Sequence, residues 1–122
     1  MFPVMMLKKP ANGGWTLYKS GLQEKQALHD MYKLIGCELV DVRTVEIDGT
    51  EFDVWFDEEF LLKNKPVPNL LLPDGTVLCG KVLFAKHDAD GATVGLTKED
   101  ERTIENWLPS RIKALIDWLK KQ

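Results

Sequence analysis

Apolar and polar positions along this chain change period several times, and each change predicts an element. Short apolar runs at 3–8 (PVMMLK) and 15–19 (WTLYK) flank KPANGG, which predicts two strands paired across a turn, with Asn12-Gly13 supplying positive backbone angles. In SGLQEKQALHDMYKLIGC the residues Leu28, Met31, Tyr32 and Ile35 recur at helical spacing. Ser20 is expected to cap that helix with Gln23 reaching back to it, and Gly36 to end it in the left-handed conformation.

After Gly36 the period falls to two. Val40 and Val42 occupy one phase and Val45 and Ile47 the other, so a bulge or bend is expected at Arg43-Thr44. VEIDGTEFDVWF predicts a hairpin, because Asp48-Gly49 suits the type I′ turn that matches strand twist. Phe52, Val54 and Phe56 then share one face, and Glu51, Asp53, Trp55 and Asp57 the other. On this reading Asp53 and Asp57 lie on a solvated face, and changing both to Asn should alter stability by less than about 1 kcal/mol, since exposed ion pairs contribute little.

KNKPVPN reads as an extended loop, since each proline pushes its predecessor out of the helical region. Asp74-Gly75 turns the chain into a strand, TVLCGKVLFAKHD, where Gly80 marks a bulge or a close approach. HDADGATVG echoes a calcium loop, but that register would put Lys86 and Thr97 at the first and twelfth ligand positions, so a turn is expected. Thr97 and Asp100 form a capping box, Pro109 breaks or kinks the following helix, and Ile112, Leu115, Ile116 and Leu119 form a stripe beyond it. The wide arc of that stripe predicts core or a dimer seam, hence a homo-oligomer. The expected fold is α+β: one domain over residues 1–122, an antiparallel sheet built of hairpins with one N-terminal helix and a C-terminal helical pair.

Composition narrows the function classes. With 44% hydrophobic and 29% charged residues the chain is ordinary globular material. A net charge of −3 argues against general nucleic-acid binding, which rests on basic side chains. The apolar run in MFPVMMLKKP is too short for a signal peptide or membrane span, and Cys37 and Cys79 lack metal-ligand spacing, which suggests a cytoplasmic protein. NGG and CGKV lack the spacing of phosphate loops, and neither His29 nor His87 stands near a nucleophile motif. No enzymatic role, metal or cofactor is therefore expected.

Arginine points to one candidate site. The chain has three, Arg43, Arg102 and Arg111, and arginine is suited to two-point recognition of phosphate. Together with Asn106, and with Phe84 or Trp107 stacking on a base, they would clamp a small anionic nucleotide. Two other readings stay open: a protein-interaction module anchored on Trp15 and Trp55, and a metal-dependent hydrolase using Asp53, Asp57, Glu58 and Glu59.

LHDMYKLIGCELVDV, VWFDEEFLLKNKPVPNLLL, LCGKVLF and DGATVGLTKEDERTI together resemble an uncharacterised domain family common in bacteriophages, prophages and conjugative elements. The pattern is a helix ending near glycine before a strand, an acidic DEE segment leading to P-x-N, then G-x-V-L and G-L-T-x-E. IGC departs from it where the family has a second glycine. The resemblance implies a small non-catalytic α+β protein. In size, helix–sheet order and helical C-terminus the chain is also similar to phage counter-defence sponges, which implies sequestration of a cyclic nucleotide or cyclic ADP-ribose signal inside a bacterial host.

Overall fold

The computed structural model describes residues 1–62 and 65–122, with Leu61 described by its backbone alone. In chain order the elements are β1 (Phe2–Lys8), β2 (Thr16–Leu22), α1 (Ala27–Ile35), β3 (Val40–Ile47), β4 (Thr50–Asp57), β5 (Pro68–Leu71), β6 (Val77–Cys79), β7 (Val82–His87), β8 (Thr93–Val94) and α2 (Lys98–Lys120). β1–β2 and β3–β4 are antiparallel hairpins. β7 enters between them, with Phe84 opposite Met5 on one side and Val54 on the other. The main sheet therefore runs β2-β1-β7-β4-β3, with β8 on the end of β7 and β5–β6 as a separate hairpin. The α+β class and the antiparallel sheet agree with the expectation from sequence.

Local chemistry explains much of this. Asp48 (φ 51°) and Gly49 (φ 82°) both adopt the left-handed angles of a type I′ turn, and the β3–β4 ladder runs unbroken from Val40–Asp57 to Ile47–Thr50. Thr97 accepts the Asp100 N–H at 3.0 Å while the Asp100 carboxylate accepts the Thr97 N–H at 2.8 Å, closing the capping box of α2. Gly36 ends α1 at φ 80°, donating to the Tyr32 carbonyl.

Several expectations are corrected. Neither Asn12 nor Gly13 has positive φ; the Gly13 N–H instead donates to the Pro10 carbonyl at 3.2 Å in a longer connection. Ser20 caps no helix, because β2 continues through it opposite Val4, and α1 starts at Ala27 after a short turn of 3-10 helix at Glu24–Gln26. No bulge interrupts Arg43-Thr44. Val40 packs on one face of the sheet and Val45 and Ile47 on the other, so the apolar phase changes because each face is covered at a different end of the strand. Gly80 (φ 79°) separates β6 from β7, splitting the single strand expected there. α2 is one helix that runs through Pro109, not a helical pair. The KNKPVPN loop lies partly outside the described residues.

Both faces of the sheet are covered. On one, Met5, Leu7, Phe52, Val54, Phe56 and Phe84 pack against Leu70, Leu72 and Leu78 of the β5–β6 region and Ile104 and Leu108 of α2. On the other, Val4, Met6, Leu83 and Ala85 pack against Met31 and Ile35 of α1. Val82 to Ala85 of the central strand are completely buried.

One buried polar side chain joins the β5–β6 hairpin to the main sheet. Asn69 Nδ2 donates to the carbonyls of Leu7 (2.9 Å) and Gly80 (2.8 Å), and the Asn69 carbonyl accepts from Trp15 Nε1 at 2.7 Å. Asn69→Ala leaves two carbonyls without these donors, so we expect a loss of roughly 2–4 kcal/mol in urea unfolding. A loss below about 1 kcal/mol would show that the tether is dispensable.

Candidate functional site

The register of the central strand gathers lysines at one end of the sheet. Leu7 pairs with Val82 and Trp55 with Leu83, so Lys8, just after Leu7, and Asp57, two residues after Trp55, lie to either side of Lys81, just before Val82. Beside them lies a cavity of about 390 Å³, within the range of small-molecule sites. Pro10, Phe60, Pro66, Val67 and Cys79 supply its apolar walls; Lys8, Lys9, Lys65 and Lys81 surround it, with Asp57 as a single carboxylate. The Asn69 tether forms the adjoining structure, since Gly80, whose carbonyl it holds, also lines the cavity.

Phe60 meets Phe56 edge to face at 6.0 Å between ring centres. Lys9 Nζ lies 5.3 Å from the Trp15 ring centre and Lys8 Nζ 5.4 Å from that of Tyr18, so two of the lysine heads rest on aromatic faces. Burial pushes the Cys79 thiol above its ordinary value, which keeps it protonated and unreactive. Asp57 Oδ1 accepts the Glu59 N–H at 2.9 Å.

A second polar cluster corrects the reading of the acidic stretch. Asp53 and Asp57 are 5% and 8% exposed, so neither belongs to a solvated face. Asp53 faces the α1 side of the sheet, where its carboxylate meets His87 Nδ1 at 2.9 Å and accepts from Thr44 Oγ1 at 3.2 Å. Glu51 on the same face stays exposed, as strand alternation predicts; Asp53 departs from that pattern because β7 delivers His87 and β3 delivers Thr44 beside it. Glu51 Oε2 lies 3.9 Å from His87 Nε2. The hydrogen bond and charge of Asp53 hold the imidazole above its ordinary value against a smaller opposing effect of burial, with Glu51 and Asp88 adding to the rise. Among the described residues no three His, Cys, Asp or Glu side chains converge as ligands for a cation would. The echo of a calcium loop is a turn: Asp88 Oδ1 accepts the N–H groups of Asp90 and Ala92.

The family described as "Domain of unknown function (DUF3846)" matches residues 12–108. The chain belongs to that family. No curated protein and no solved structure matches it. The DUF3846 match spans α1, the whole main sheet beyond β1 and α2 as far as Leu108, so it includes Phe60, Lys65, Cys79 and Lys81 of the cavity.

In this DUF3846 chain the three arginines do not surround one cavity. Arg111 Nε donates to the Leu71 carbonyl at 3.0 Å, and an Arg43 guanidinium nitrogen lies 3.7 Å from Asp74, so both hold the turn that leads from β5 to β6. Arg43 lines a separate 330 Å³ hollow with Leu72, Pro73 and Asp74. Arg102 and Asn106 are exposed on α2, one helical turn apart. Phe84 is fully buried and meets Trp107 edge to face at 6.2 Å, so its ring faces are closed to a base. Trp107 is half-buried against the same core. Glu58 is exposed and Glu59 half-buried at the end of β4. The cavity lysines carry no motif; each stands beside a turn signal, in KKPANG, KPVPN and CGKV, and the topology assembles them.

Two expectations follow from the Asp53 cluster. Asp53→Ala, which strips both His87 and Thr44 of their partner, should lower stability by about 2 kcal/mol or more, and an unfolding midpoint equal to wild type would refute the buried role. The pH dependence has a definite sign. A raised folded-state value means that the imidazolium stabilises fully below pH about 6.5, and that this contribution fades as pH rises through the folded value. Melting temperatures of wild type and His87→Asn should therefore differ most under mildly acidic conditions and converge under alkaline ones. A gap that widens with pH contradicts the assignment.

Proposed function

We propose that this protein binds a small nucleotide-like anion in the lysine-rimmed cavity and sequesters it unaltered. The observation that carries the reading is local: four lysines surround an apolar-walled cavity in a chain whose net charge is −3. A low-polarity wall strengthens attraction between an ammonium and a phosphate, and a hydrogen bond to a charged group contributes about 1.5–3 kcal/mol. Phe60 offers an aromatic surface for a base. Cys79 stands at the cavity as a protonated thiol, so it is not primed to attack a ligand. Lysines act as mobile point charges and suit a ligand whose phosphates need neutralising more than fixed geometry. The resemblance to counter-defence sponges read from the sequence is in keeping with sequestration, and on that resemblance the proposed role is in a phage or other mobile element, directed at a bacterial host's nucleotide signals.

Calorimetric titration with a panel of cyclic mono- and dinucleotides and ADP-ribose derivatives tests this. At least one should bind more tightly than about 1 mM, and leave the protein chemically unchanged after denaturation. Lys81→Glu, at an exposed position, should weaken that binding at least about tenfold with the melting temperature preserved. Binding that Lys81→Glu leaves intact, or a panel with no binder, overturns the proposal.

A further inference from the structure

A second cavity, of about 570 Å³, lies on the opposite layer between α1 and the β7–β8 turn. Ala27, Leu28, Met31, Trp55 and Val94 make it apolar, and Glu24 and Asp88 make it acidic, with no lysine or arginine in its lining. Leu28 is 49% exposed there, although it shares the α1 face whose Met31 and Ile35 are buried. Trp55 Nε1 is buried with no acceptor among the described residues, an uncommon state for an indole N–H. The groove thus combines exposed apolar surface and negative charge.

The end of α2 has the complementary character. Leu115 is its last buried residue, and the helix continues to Lys120. Ile116 and Leu119, three residues apart and so on one helical face, are 37% and 38% exposed, and Lys120 and Lys121 follow. The family match ends at Leu108, so this tip lies beyond the matched residues. α2 packs on one face of the sheet and α1 on the other, so a chain's own tip is not on the side of its own groove.

We infer that the apolar, basic tip of α2 docks into the acidic Trp55 groove of a second copy of this chain. Ile116 and Leu119 meet Leu28 and Trp55, while Lys120 and Lys121 meet Glu24 and Asp88. The contact is head-to-tail, because donor tip and acceptor groove are different surfaces, so it closes into a ring or continues as a chain of copies. It is independent of the anion cavity at the other site.

A charge exchange tests it on the full chain. Static light scattering at roughly 1–100 µM should show assembly that grows with concentration and weakens in salt. Lys120→Glu with Lys121→Glu should abolish it. Glu24→Lys with Asp88→Asn should do the same, Asn keeping the Oδ1 that accepts the Asp90 and Ala92 N–H groups. Each variant alone should scatter as a monomer while retaining the wild-type circular dichroism spectrum and melting temperature. Mixed in equal amounts, the two should assemble, since each then offers what the other lacks. A monomeric wild type, assembly that survives either charge change, or a mixture of folded variants that stays monomeric overturns the inference.

Discussion

The Asn69 side chain holds two parts of the molecule in a fixed relation. Its amide spans the carbonyls of Leu7, at the end of β1, and Gly80, just before β7, while the Asn69 carbonyl takes the Trp15 indole N–H. Both carbonyls lie where strand pairing stops, and without the amide that of the buried Leu7 would be left without a donor. The anion cavity depends on this junction: Gly80 and Cys79 form part of its lining, Lys81 follows, and Lys9 rests on the ring of Trp15. Gly80 can serve here because its positive φ turns the chain from β6 into β7 at a point where a side-chain-bearing residue would be strained.

Much of the local architecture was readable from residue order, and the reasons are short-ranged. Asp48-Gly49, the Thr97–Asp100 box and Gly36 each act through backbone angles or bonds within a few residues. The alternation of Phe52, Val54 and Phe56 likewise placed one face of β4 correctly. What could not be read was what lay against the opposite face. Strand alternation assigns Asp53 to the outside unless a second layer covers it, and the side chain that partners it, His87, is 34 residues away. Pro109 misled for a related reason: it removes one hydrogen bond, yet the packing of Ile104, Leu108 and Leu115 along α2 keeps the helix continuous across it.

The candidate site shows the same division more sharply. Arginine was the chemically informed choice for a phosphate clamp, but Arg43 and Arg111 are engaged in fastening the turn after β5, one through Asp74 and one through the Leu71 carbonyl. The cationic cavity is made instead from Lys8 with Lys9, Lys65 and Lys81, three stretches far apart in sequence. Only the insertion of β7 beside β1 and β4 makes them neighbours, and that insertion leaves no mark in local periodicity. Phe84 gives the converse lesson: its central place on β7 assigns it to the core, and Trp107 packs against its edge.

The position of β7 also bears on how the chain is made. β1 and β4 are each provided early with one neighbour, β2 and β3, but the strand that both need on their inner edges is Val82–His87, near residue 85 of 122. During synthesis the two hairpins can form locally, whereas their inner backbone edges stay unsatisfied until β7 emerges. Chain growth at about 5–20 residues per second would separate completion of β4 from that of β7 by a few seconds. In that interval the nascent protein carries two open strand edges rich in valine, methionine and phenylalanine, the kind of surface on which a wrong partner strand can add.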